Sequence, residues 1–116
     1  MNERIEEFFR LFNARDLEGL GDLLAEDAVF RFPKTDDLEG RERILRFLKL
    51  LFRRFPELEF TVKGIMSEGD AATAHWTNRG ADRKGEPYEN EGVTWVKWRD
   101  GDIVFISDFF KDTERF

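Results

Sequence analysis

Apolar positions recur every three to four residues over the first half of the chain and every second residue over the rest, so helices come first and strands afterwards. Ile5, Phe8, Phe9 and Phe12 form one stripe, with Asn2 placed to cap it. Asp16 can cap a second, short helix whose Leu17, Leu20, Leu23 and Leu24 share a face and which ends at Asp27-Ala28. Val29-Phe30-Arg31-Phe32 alternates before Pro33 and predicts a short strand, and Lys34-Thr35-Asp36-Asp37 reads as a loop. From Arg41 to Phe55 the residues Ile44, Phe47, Leu48, Leu51, Phe52 and Phe55 line a wide apolar face that Pro56 stops, a third helix. Beyond Leu58 the period is two, broken at Ser67-Glu68-Gly69-Asp70, Arg83-Lys84-Gly85-Glu86 and Asp100-Gly101, which predicts four antiparallel strands in succession. Helices followed by a meander make an α+β class with the helices on one face of the sheet.

A chain of 116 residues without linkers or repeats is expected to form a single domain over residues 1–116. Its 13 Phe and 3 Trp predict an aromatic core with room for flat ligands between rings. The apolar runs fall far short of the roughly 20 residues of a membrane span, so no membrane partner is expected. The opening Met1-Asn2-Glu3-Arg4 resembles neither a secretory signal nor a transit peptide, which makes the cytoplasm the expected compartment. A net charge of -6 argues against nucleic acid. With no Cys, disulfides and thiolate chemistry are excluded, and the single His75 lacks the converging ligands a metal needs. The absence of Gln and the 38% charged residues fit thermophilic, stabilised or engineered sequences alike.

One carboxylate stands in an apolar row. In Ile103-Val104-Phe105-Ile106-Ser107-Asp108-Phe109-Phe110, alternation puts Asp108 with Val104, Ile106 and Phe110. Desolvation there raises an acid's pKa and suits it to general acid or base work, unless the strand bends after Ser107 and Asp108 only bonds backbone or a basic residue. His75 shares a face with Thr73, Thr77 and Arg79, and Ala72, Ala74, Trp76 and Asn78 take the other. A structural His75 is as compatible with this pattern as a functional one. Tyr88, Asn90, Gly92, Thr94, Val96 and Trp98 share one face of the following strand, Val93 and Trp95 the other. Both sheet faces therefore carry large apolar groups, and the face that the helices leave uncovered predicts a homodimer through the convex side of the sheet. Arg43, Arg46, Lys49, Arg53 and Arg54 on the third helix read as a solvated face.

The order helix, helix, short strand, long helix, meander resembles the nuclear-transport-factor-2-like fold along the whole chain. Its SnoaL-like signatures are Asp16-Leu17-Glu18-Gly19-Leu20, Leu24-Ala25-Glu26-Asp27-Ala28-Val29-Phe30, Gly40-Arg41-Glu42-Arg43-Ile44 and Asp100-Gly101-Asp102-Ile103 leading to Ser107-Asp108-Phe109-Phe110. The resemblance implies a cone of three N-terminal helices on a curved antiparallel sheet, enclosing a pocket. It also covers isomerases, dehydratases, cyclases, epoxide hydrolases and non-enzymes. Against the limonene-epoxide-hydrolase type, Asp108 matches the last aspartate, but His75 and Thr77 stand for its arginine and other aspartate, and Phe30 and Phe32 for its water-holding pair. Against ketosteroid isomerases, Phe32 occupies the base position and Phe8 and Thr94 the oxyanion donors. SnoaL-type polyketide cyclases are similar in using a late-strand Asp as acid and base.

The expected activity is acid/base catalysis on a small hydrophobic carbonyl-type compound, of isomerase, cyclase or lyase type and without a cofactor. Asp108 is the expected acid/base, with His75 orienting it or exchanging protons with it. Thr77, Tyr88, Asn90 and Thr94 are expected to bond the ligand, and Phe30, Phe32, Trp98 and Phe110 to wall it in. The alternatives are a non-catalytic dimeric binding or interaction module, or an engineered scaffold of this fold.

Overall fold

The computed structural model describes residues 2–114. Three helices, α1 (Asn2–Ala14), α2 (Leu17–Leu23) and α3 (Arg41–Arg54), cover the concave face of a curved six-stranded sheet. The strands are β1 (Leu24–Arg31), β2 (Leu38–Glu39), β3 (Glu59–Glu68), β4 (Ala71–Ala81), β5 (Pro87–Arg99) and β6 (Asp102–Phe110). They lie in the order β2-β1-β6-β5-β4-β3. The α+β architecture is the one the periodicity predicts.

Details differ from that expectation, among them a sixth strand, the two-residue β2. Asp27 and Ala28, read as the end of the second helix, lie in β1, because Leu24 already adopts extended backbone at the α2 C-cap. Leu24, Ala25 and Ala28 are buried there while Glu26 and Asp27 are exposed, an irregular stretch across which the pairing of β1 with β6 shifts register between Leu24 and Val29. The sheet is also mixed, since β1 runs parallel to β6 while the other pairs are antiparallel. A return through α3 and the whole meander separates β1 from β6, and local patterning carries no signal for pairing at that distance.

Amphipathic stripes join the layers. α1 buries Ile5, Phe8, Phe9 and Phe12, and α3 buries Ile44, Leu48 and Leu51. Asn13 of α1 bonds the Phe60 backbone in both directions, its amide N donating to the carbonyl and its O accepting from the N–H, each at 2.9 Å. That pair ties the first helix to edge strand β3. Arg15 donates to the Leu58 carbonyl at 2.8 Å and holds the entry to the same strand.

Gly92, in the middle of β5, is required by close packing. A Cβ there would stand 2.3 Å from the Phe109 carbonyl oxygen and 2.7 Å from the Trp76 ring. Gly92→Ala is expected to destabilise the fold by about 1–3 kcal/mol through overpacking, measured as a lower urea midpoint at unchanged slope.

Candidate functional site

A register shift decides which side of the sheet Asp108 faces. The tight turn at Asp100-Gly101 sets Arg99 opposite Asp102 and Trp98 opposite Ile103. Continued unbroken, that register would put Asp108 opposite Val93, on the convex side. Between Lys97 and Trp98 the pairing slips by one residue, with Val104 as the extra residue of a bulge. Ile103 and Ile106 are both fully buried although they differ in parity, as a bulge between them requires. Beyond it Thr94 pairs with Asp108, and Ala74 with Thr94, so Asp108 points under the helices.

There Asp108 meets a short hydrogen-bond relay. The Trp76 indole N–H donates to Thr94 Oγ1 at 2.8 Å, and the Thr94 hydroxyl donates to Asp108 Oδ1 at 2.6 Å. With its acceptor side occupied by the indole, Thr94 is oriented to give its proton to the carboxyl. Thr94 is the one hydrogen-bond partner of Asp108 among the described residues. Burial pushes the Asp108 carboxyl up to about 7, against the smaller lowering by Thr94. A proton is therefore exchangeable at this carboxyl near neutrality.

Asp108, Thr94 and Asn78 are the polar side chains of a cavity otherwise walled by aromatic and leucine residues. Edge-to-face contacts run through it from Phe12 to Phe60, Trp76, Phe110, Phe32 and Phe47, with centroids 4.7–5.3 Å apart. These rings leave a void of only about 10 Å³ accessible to a water-sized sphere. A single water needs about that much. Phe32 and Phe110 also border an outer groove of about 320 Å³ reached by Asp108, and Phe32 a second of about 250 Å³ against α3.

Of the residues expected at the site, Phe30, Phe32, Thr94 and Phe110 line the cavity together with Asp108. His75 does not. It pairs with Val93, which pairs with Phe109, and all three are exposed on the convex face. Its Nε2 meets Glu91 Oε2 at 2.5 Å, while Lys111 Nζ lies 3.2 Å from the other oxygen of Glu91. The His75 hydrogen bond, then Lys111, hold the Glu91 carboxyl below its usual range. The expected exchange of protons between His75 and Asp108 is thus corrected by the register, which sets the sheet between them. Thr77 pairs with Glu91 and faces outward with it. Asn90 faces inward but is used structurally, donating to the Tyr88 hydroxyl at 2.9 Å and the Asp112 carbonyl at 2.7 Å. Tyr88 packs on Phe55, and Trp98 sits in the core beside Ile103, so neither walls the cavity.

The residue that sequence reasoning passed over is Asn78. It is 5% exposed, lines the cavity, and neither its amide N nor its O has a hydrogen-bond partner within the protein. Leaving such atoms unpaired costs about 1–3 kcal/mol each. The signal was the one that marked Asp108, a polar residue in an apolar row, here Ala72, Ala74 and Trp76. No metal-binding group of three His, Cys, Asp or Glu side chains occurs among the described residues, and no described helix is long and apolar enough to cross a membrane.

Because Asp108 binds its proton more tightly folded than unfolded, stability falls as pH rises from about 4 through about 7. Asp108→Asn removes that dependence and keeps an oxygen for Thr94. The variant is expected to be more stable than the parent by about 2–4 kcal/mol at pH 8, with the gap closing below pH 4. Urea melts at pH 4, 6 and 8 test this; a gap that does not change with pH contradicts it.

The chain matches the SnoaL-like domain family over residues 5–106. No curated protein matches it. Among solved structures it resembles an NTF2-like protein of unknown function from Burkholderia pseudomallei, with a TM-score of 0.87 at 19% identity over 94% of this chain and 88% of that one. An NTF2-like protein of unknown function from Exiguobacterium gives 0.83 at 20% identity over 95% and 99%. IdmH, a proposed polyketide cyclase from Streptomyces antibioticus, gives 0.82 at 27% identity over 95% and 91%. Fold and family match agree, and the chain belongs to the SnoaL-like domain family of the NTF2-like fold.

Proposed function

We propose that the chain binds a small hydrophobic carbonyl compound between helices and sheet and moves a proton on it with Asp108, in a reaction of isomerase, cyclase or lyase type. The observation that carries this reading is a carboxyl pushed up to about 7 in an aromatic cavity, with a threonine hydroxyl aimed at one oxygen. Thr94 steadies the carboxylate, and the second oxygen is left to take or give the proton. The rings of Phe30, Phe32 and Phe110 supply the apolar wall. Because the void is small, the ligand enters by turning rings aside, and the Phe32–Phe110 pair between cavity and outer groove is the shortest way in. The polyketide-cyclase proposal for the Streptomyces antibioticus neighbour is in keeping with a cyclase-type proton transfer.

Acid/base competence is measurable without the natural substrate. The wild-type protein is expected to accelerate deuterium exchange at the methyl group of acetophenone in heavy water, with a rate that rises as the carboxylate forms through about 7. Asp108→Asn is expected to lower that rate by about 10²-fold or more, and His75→Ala to leave it unchanged. Equal rates for Asp108→Asn and wild type sink the reading.

A non-catalytic role for the other face is favoured by a separate observation. Met66 is 77% and Phe109 58% exposed, and with Val93 and the half-buried Trp95 and Phe105 they make the convex side apolar. We propose that a second copy of the chain covers it. Sedimentation velocity is expected to give a dimer for the wild type and a monomer for Met66→Glu/Phe109→Glu; a monomeric wild type refutes it.

A further inference from the structure

Asn78 plays no part in the proton transfer described above, nor in the hydrogen bonds that secure the strands. Its row across the sheet is Phe60, Asn78 and Asn90, whereas Asp108 stands in the row of Ala74 and Thr94. The row of Trp76, Gly92 and Phe110 lies between them. Four residues of strand separate the two rows, about 13 Å along the backbone. Asn78 and Asp108 are thus two polar poles of one aromatic cavity, not neighbours. Asn90, beside Asn78, is bonded to Tyr88 and the Asp112 backbone. Among the described residues Asn78 alone presents an unpartnered amide to the cavity.

We propose that Asn78 is a ligand-binding residue whose amide takes a neutral group carrying a hydrogen-bond acceptor beside a donor, a carboxamide or lactam, at the end of the cavity away from Asp108. An amide side chain offers one acceptor oxygen and two N–H donors in a plane, so its complement is another planar amide held by two parallel hydrogen bonds. Charge sets the rest of the preference. Among the described residues no Lys, Arg or His lines the cavity and its one ionisable group is an acid, so an anionic ligand meets no compensating cation there. The body of the ligand is flat and apolar, because the wall between the poles is apolar and mostly aromatic, with Trp76, Phe60 and Phe110 stacked edge to face.

The inference rests on the reading that this cavity binds an apolar molecule, and its test separates the two. Benzamide and α-methylstyrene share a planar outline, and the first alone carries the amide. Their dissociation constants are measured by NMR titration on wild type, Asn78→Leu and Asn78→Val, each checked for folding by urea melt. Either variant suffices, since both remove the buried amide and keep an apolar surface. The preference for benzamide over α-methylstyrene is expected to be at least tenfold greater in wild type than in the Asn78 variants, and unchanged in His75→Ala on the convex face. A ratio within twofold across wild type and variants overturns the proposal, as does failure of both probes to bind the wild type. An intact ratio with no acetophenone exchange removes the acid/base reading and keeps Asn78; exchange without the ratio does the reverse.

Discussion

The extra residue at Val104 governs the chemistry because a β-strand has only two sides. A slip of one residue between β5 and β6 carries every later side chain to the opposite face, and Asp108 lies four residues past it. Were the register of Arg99 and Asp102 continued, Asp108 would lie in the row of Val93 and His75, in water and beside a basic group. The bulge puts it under the helices instead, opposite Thr94, where burial outweighs the hydrogen bond and the carboxyl holds its proton near neutrality. The buried pair Ile103 and Ile106 anchors the two sides of the slip, so the same apolar contacts that close the core fix the acid.

Core and site are not separate regions in so small a domain. Phe12, Phe60, Trp76, Phe110 and Phe32 bury apolar area and at the same time fill the space a ligand would use. Aromatic burial stabilises the cone, and the residual void is the size of one water. Binding of the proposed ligand would therefore compete with packing, and its affinity would depend on what it costs to turn a ring. Phe32 bears most on that cost, since it borders the inner void and both outer grooves.

Much of the fold was legible in the chain because helix and strand periods are local signals. The stripe from Ile44 to Phe55 and the turns at Gly69, Gly85 and Gly101 placed α3 and the meander, and the three glycines take positive φ. Pairings were less legible. The parallel contact of β1 with β6 and the two-residue β2 depend on chain segments far apart in sequence. At the site, alternation identified Asp108 as an acid among apolar residues but had no means of relating its face to that of His75. Asn90 and Asn78 look alike in the sequence; the Tyr88 hydroxyl and the C-terminal backbone at Asp112, folded back onto Asn90, distinguish the satisfied amide from the unsatisfied one.

The position of His75 also bears on how Asp108 works. An imidazolium beside the carboxyl would favour its charged form and draw its pKa toward the ordinary range, while a second acid would raise it further. Neither lines the cavity among the described residues, and His75 is held on the convex side by Glu91. Desolvation thus acts on Asp108 with only a neutral hydroxyl opposing it. Under those conditions proton affinity is set by how dry the cavity is, so a ligand that displaces water as it enters tightens the proton on Asp108. On the proposed reading such an acid would answer to its own ligand: an apolar molecule would favour the protonated form, and a polar group at the carboxyl would favour its release.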